Sequence, residues 1–99
     1  MAIVRIQDTP TPDGSTALYD QVTEIMNVAD DPPAGMIVHT ASVTDDGKIL
    51  IVDVWESREA MERFEEDRLM PALREAMGGD LPDADAPVRV HETHNVVAP

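Results

Sequence analysis

Cysteine is absent from this 99-residue chain, which excludes disulfides, thiol catalysis and Cys-ligated metals. Only three side chains are aromatic, Tyr19, Trp55 and Phe64, so the core has to be built mainly from aliphatic residues and Met. Long hydrophobic runs are also missing. The apolar run within the first seven residues is short and is interrupted by Arg5, so it does not resemble a signal peptide. No apolar run approaches the length of a membrane span. We therefore expect a soluble, cytoplasmic protein that forms a single domain over residues 1–99.

Basic residues are scarce as well. Seven Lys and Arg face 20 Asp and Glu, which gives a formal net charge of −13. A chain this acidic repels phosphate backbones, and no basic patch offsets the repulsion. Nucleic acid is therefore excluded as an expected partner, and we expect no membrane partner either.

The pattern of apolar residues predicts two helices and four strands. The predicted strands cover residues 2–8, Met36–Val43, Lys48–Trp55 and Val88–Val97, with Asp46-Gly47 as a hairpin signal between the second and third. The first helix follows an N-cap at Ser15, and its apolar face contains Leu18, Val22, Ile25 and Met26. The second helix follows Ser57, is expected to kink or break at Pro71, and ends at Gly78-Gly79. Irregular connections are expected at Asp8–Gly14 and Asp80–Pro87.

The order βαββαβ is that of the ferredoxin-like plait, an α+β fold whose antiparallel four-stranded sheet carries both helices on one face. The first and third strands are central in this topology. Apolar residues stand at both the odd and the even positions of the strands and therefore on both faces of the sheet. This indicates that the second face is covered too. Because no further helix is available, we expect a homodimer formed through the sheet faces.

The segment Val54–Ala60, followed by Phe64, resembles the dimeric α/β-barrel superfamily, which includes antibiotic-biosynthesis-monooxygenase-like proteins, haem-degrading monooxygenases and small polyketide cyclases. The resemblance extends over the whole chain through element order and length. It implies a pocket between the sheet and the helices of each protomer. The haem-degrading set of Asn, Trp and His does not carry over, because Phe64 and Arg74 stand at the expected Trp and His positions. The Tyr and His of the cyclases are likewise missing from Glu65–Leu73.

The candidate site residues can be assigned to one face of the sheet or the other from the pairing of the second and third strands. With an even hairpin loop, paired residues share a face, and Val38, Thr40, Ile51, Asp53 and Trp55 lie together. His39 then lies on the opposite, dimer-facing side. By analogy with the cyclases, the Asp53 side faces the helices and the pocket. A three-residue loop would undo this assignment.

Asp53 is the first candidate catalytic residue, because a carboxylate among apolar strand residues is costly unless it is paired or hydrated. It is either a general base or the partner of Arg5 or of a helix Arg. His94 is the second, since alignment with the cyclases turns it towards the pocket; the alternative is a surface or interface histidine. His91 and His94 are three apart on one strand and point to opposite faces, so no metal site is expected.

The candidate substrate-binding residues are aromatic, apolar or hydroxyl-bearing. Trp55 is either an aromatic platform for a planar ligand or a core residue. Tyr19 either brings its hydroxyl to the pocket mouth or lies at the edge of its helix. The full set comprises Trp55, Thr40, Tyr19, Val38, Ile51 and Phe64.

Three functions remain open. The first is a cofactor-independent enzyme of the monooxygenase or cyclase type that forms an enolate from a small hydrophobic, polyketide-like or aromatic substrate. The second is a non-catalytic dimeric binding or accessory protein that uses the same pocket. The third is a dimer whose pocket is filled by its own side chains, with no cavity beside Trp55.

Overall fold

The computed structural model describes residues 1–10, 16–78 and 88–97. Its four strands form one antiparallel sheet in the order β2-β3-β1-β4, so the first and third strands are central. The predicted α+β, ferredoxin-like plait is confirmed. No helix in the described ranges is long and apolar enough to cross a membrane. The elements are β1 Ile3–Pro10, α1 Ala17–Met26, β2 Met36–Val43, β3 Lys48–Trp55, α2 Arg58–Phe64, a π turn Glu65–Leu69, α3 Met70–Ala76 and β4 Val88–Glu92.

Two predicted strand boundaries are wrong. β1 continues through Asp8 to Pro10, where a loop was expected. Within the described residues, β4 pairs with Ile3–Gln7, so Pro10, which lacks an N–H, lies beyond that pairing at the end of β1. β4 ends at Glu92, five residues before the predicted end. The predicted N-cap Ser15 and the connection Asp80–Pro87 lie outside the described residues.

The core joins the central strands to α2. Ile3 and Trp55 are paired across β1 and β3 and lie on the same face. Met61 and Phe64, three residues apart on one side of α2, pack against them. The rings of Trp55 and Phe64 are tilted, with centroids 5.1 Å apart. The helices therefore cover the face of the sheet that carries Ile3 and Trp55.

The second predicted helix begins as expected and does not end at Pro71. The Ser57 side chain accepts a hydrogen bond from the Ala60 amide at 3.2 Å, which caps α2. Right-handed helical backbone continues through the π turn at Glu65–Leu69 into α3. Of the predicted kink or break, a break is wrong, because Pro71 lies in the first turn of α3; the irregularity in the helix is the wider turn directly before it.

The hairpin between β2 and β3 has an odd loop. Thr44 and Lys48 close it through a 2.8 Å backbone hydrogen bond, so Asp45, Asp46 and Gly47 form the connection. Gly47 has a φ of 79°, as expected for the last residue of a three-residue loop. The Thr44 hydroxyl donates to the Asp46 carboxylate and lowers the pKa of that side chain. The even loop assumed from the sequence is wrong.

The odd loop changes which β2 residues face the helices. His39 lies directly opposite Asp53, whereas Val38 and Thr40 lie opposite Val54 and Val52. Val38 and Thr40 are therefore on the outer face, away from Asp53, and the predicted assignment of both residues is wrong. A β-bulge between Met36 and Val38 pairs Met36 with Trp55 and so returns it to the helix side.

Gly35, just before β2, provides a test of how closely α2 packs against this part of the chain. Its φ is +85°, and a Cβ built on it lies 2.6 Å from Cβ of Ala60. We expect Gly35→Ala to lower the free energy of unfolding by about 2 kcal/mol or more, since it combines backbone strain with overpacking against α2. Urea denaturation measures the change.

Gly78→Ala is the matched control. Gly78 has a φ of +73°, but a Cβ there has nothing within 4 Å. It carries the conformational cost alone, about 1 kcal/mol. Equal losses in the two variants would contradict a tight contact between Gly35 and α2.

Candidate proton-relay site

A buried ion pair joins the two central strands. Arg5 of β1 and Asp53 of β3 are register partners, and they are only 7% and 4% exposed. Nη1 of Arg5 lies 4.0 Å from Oδ2 of Asp53. The sequence alternative in which Asp53 pairs with Arg5 is thus confirmed, and the pair offsets part of the cost of burying either charge.

His39 lies on the other side of Asp53. Its Nδ1 is hydrogen-bonded to Oδ1 of Asp53, and its side chain is 27% exposed. The prediction that His39 lies on the opposite face from Asp53 is wrong, because the hairpin loop has three residues and not an even number. With a three-residue loop, the same pairing rule predicts that His39 and Asp53 are opposite each other.

Tyr19 of α1 completes a row of three polar side chains. Its hydroxyl lies 2.7 Å from Nε2 of His39, and the two rings are nearly parallel. An ionised carboxylate only accepts hydrogen bonds, so Nδ1 of His39 carries the proton that Asp53 accepts. In the neutral imidazole, Nε2 then accepts a hydrogen bond from the Tyr19 hydroxyl. We call Tyr19, His39 and Asp53 the relay.

Two other side chains accept hydrogen bonds from Arg5. Nε donates to Oε1 of Glu65 at 2.9 Å, and Nη2 donates to Oε1 of Gln7 at 2.8 Å. Glu65 is the first residue of the π turn. The guanidinium therefore connects the relay to the continuous helix formed by α2, the π turn and α3, which we call the long helix. The sequence does not predict this contact.

The relay is chemically a hydroxyl, an imidazole and a carboxylate in series. Such a series orients the imidazole and can move a proton from the hydroxyl to Nε2 while the carboxylate stabilises the imidazolium. Tyr19 and His39 are both half-buried, whereas Asp53 is buried. A proton can thus be exchanged at the Tyr19 end of the series.

Several predicted site residues lie elsewhere. Trp55 is 0% exposed and Phe64 is buried, so both are core residues and the interpretation of Trp55 as a ligand platform is wrong. His94 follows the end of β4 and is exposed. Ile51 shares the helix-facing side of β3 with Asp53 and is half-buried. Of the residues predicted from the sequence, the structure brings Asp53 and Tyr19 together through His39.

Two open grooves lie on the helical side. One of about 340 Å³ is lined partly by Pro33, Ala60 and Phe64. The other, of about 230 Å³, lies between α1 and the long helix. Neither is lined by a relay residue. Within the described ranges, no three His, Asp or Glu side chains form a group that could hold a metal ion.

Comparison with known proteins gives matches in structure only. No family model and no curated protein matches the chain. A proposed antibiotic biosynthesis monooxygenase from Chloroflexus aurantiacus superposes with a TM-score of 0.73 at 16% identity, covering 99% of this chain and 98% of that one. A second protein of that description, from Deinococcus radiodurans, has a TM-score of 0.67 at 16% identity over 98% and 96%.

A haem-degrading protein from Mycobacterium tuberculosis is also similar, with a TM-score of 0.62 at 18% identity over 99% of this chain and 100% of that one. Identities of 16% to 18% establish the fold. The resemblance seen in the sequence is thereby confirmed at the level of the fold. The chain has the fold of the antibiotic-biosynthesis-monooxygenase-like proteins.

Proposed function

We propose that the protein is a cofactor-independent enzyme that removes a proton from a small hydrophobic, aromatic or polyketide-like substrate to form an enolate. The observation that carries the proposal is the relay, in which Tyr19 and Asp53 bind the two ring nitrogens of His39. His39 acts as the base through the Tyr19 hydroxyl, a role that the sequence predicts for Asp53 or His94. Asp53 orients the imidazole and stabilises its charged form.

The proton moves in two coupled transfers. The Tyr19 hydroxyl gives its proton to Nε2 of His39, and the Tyr19 oxygen accepts the acidic proton of the substrate. The products are an enolate, an intact tyrosine hydroxyl and an imidazolium beside Asp53. In a monooxygenase the enolate carbon bonds to dioxygen, and loss of water from the resulting hydroperoxide leaves a new carbonyl at that carbon, so the substrate supplies the electrons. In a cyclase the enolate carbon bonds to a carbonyl carbon of the same substrate, and the carbonyl oxygen takes up the proton held by the relay. Both reactions share this first step.

Apolar side chains next to the relay support a hydrophobic substrate. Ala41 and Val43 follow His39 on the same face of β2, and both are exposed. Leu18, next to Tyr19 on α1, is 41% exposed. An aromatic ring bound over Ala41 and Val43 would lie on the face of β2 that carries His39. The names of the similar Chloroflexus and Deinococcus proteins favour the monooxygenase reaction over cyclisation.

His39→Gln tests the function. Glutamine retains hydrogen-bonding groups but cannot act as the base, so we expect proton abstraction to slow by about 100-fold or more. The measurement is deuterium incorporation from D2O at the acidic carbon of hydroxylated planar aromatic ketones, without dioxygen. Oxygen uptake by the same substrates in air then separates monooxygenase from cyclase.

His94→Gln is the matched control, because His94 is an exposed histidine beyond β4. It should exchange at the wild-type rate. Wild-type protein that binds the ketones without accelerating exchange would be a binding protein, which is the alternative function. Full exchange activity in His39→Gln would contradict the relay as the catalytic group.

We also propose that a second copy of the chain covers the outer face of the sheet. Val4, Val54 and Val38 form a row across β1, β3 and β2 on that face. Ile6 and Val52 form the next pair along it. The helices pack on the other face, and burial of such a surface drives association. These apolar residues on the outer face support the homodimer expected from the sequence.

Val54→Lys tests the dimer by placing a charge at the centre of the row. We expect the variant to be a monomer at micromolar concentrations where the wild type is a dimer, because burying an unpaired ammonium is costly. Sedimentation equilibrium measures the mass. Val43→Lys is the control, since Val43 is 60% exposed on the helix-facing side. A monomeric wild type would contradict the proposal.

A further inference from the structure

Arg5 lies between two carboxylates from different elements. Its Nε binds Glu65 of the π turn at 2.9 Å, and its Nη1 lies 4.0 Å from Oδ2 of Asp53. The first distance is that of a charge-assisted hydrogen bond, whereas the second is that of a looser ion pair. Arg5 is therefore held more closely by Glu65 than by Asp53.

This unequal sharing matters for His39. Arginine and carboxylate side chains favour a bidentate arrangement in which both carboxylate oxygens accept from the guanidinium. Such an arrangement would occupy Oδ1 of Asp53, the oxygen that binds Nδ1 of His39. Glu65 and Gln7 hold two edges of the guanidinium, which leaves Oδ1 available to His39.

The π turn places Glu65 at this position. A π turn adds one residue to a helical turn, and turns of this kind occur frequently at functional sites. Glu65 is half-buried at the start of the turn, whereas its neighbour Glu66 is exposed. The side chain directed at Arg5 thus comes from the segment where the long helix departs from α-helical geometry.

We propose that Glu65, acting through Arg5, is a positioning residue that keeps Oδ1 of Asp53 free to bind His39. The Arg5 charge remains near Asp53, and the Glu65 charge offsets it when His39 becomes an imidazolium. The effect on turnover rests on the proposed function, but the effect on the Asp53–His39 hydrogen bond does not.

Glu65→Ala tests the proposal in the full-length protein. With Glu65 removed, Arg5 is expected to move onto both oxygens of Asp53 and displace His39. The downfield proton resonance of His39 Nδ1–H, identified by its loss in His39→Gln, should then weaken or disappear. In the exchange assay, we expect kcat to fall roughly 10-fold with KM within about twofold, since misplacement of a catalytic group affects the chemical step.

Two further variants separate positioning from a general effect on the helix. Glu66→Ala, in the same turn, should leave the resonance and kcat at wild-type values. Glu65→Gln keeps an oxygen acceptor for Nε of Arg5 and should restore part of both. An unchanged resonance in Glu65→Ala, or an equal loss in Glu66→Ala, would overturn the proposal. A lost resonance in Glu65→Ala with no exchange activity in the wild type would support positioning and contradict the proposed function.

Discussion

The buried carboxylate of Asp53 is the constraint on which the rest of the site depends. A charge this well buried, on a central strand, is tolerated only when it is paired and hydrogen-bonded. The sheet supplies one partner from each neighbouring strand, Arg5 from β1 and His39 from β2. Each partner then needs its own second contact, which Glu65 provides for Arg5 and Tyr19 for His39. One buried charge thereby organises side chains from three strands and two helical segments.

The length of one hairpin loop determines whether this site exists. Side chains alternate between the faces of a strand, so a change of one residue in the connection would turn His39 to the outer face. Thr44 and Gly47 stabilise the three-residue form, the first through hydrogen bonds and the second through its positive φ. The bulge near Met36 then corrects the face for the start of β2 alone. The site and the core therefore both retain inward-facing side chains.

The fold could be predicted from the sequence because it depends on the order of elements and on apolar periodicity, which are local properties. Asp53 can be identified because a carboxylate among Ile and Val residues is conspicuous, and the sequence offers Arg5 as one partner for it. The sequence puts His39 on the wrong face because Asp46-Gly47 is compatible with hairpin loops of an even or an odd number of residues. Glu65 could not be found, since its direction depends on a π turn that leaves no clear pattern in the sequence. Trp55 was ambiguous until the packing of Phe64 against it was known.

The two ends of α1 are held by different contacts. At its C-terminal end, the helix is held by Arg68, whose guanidinium donates to the backbone carbonyls of Met26 and Asp31. Asn27 also closes this end in the left-handed conformation. Tyr19 lies in the first turn, where the Thr16 hydroxyl bonds to Asp20 on the surface. His39 and Asp53, by contrast, are fixed by strand pairing. Tyr19 is therefore the member of the relay whose position depends on the start of α1, and its hydrogen bond to Nε2 of His39 ties that end of the helix to the sheet.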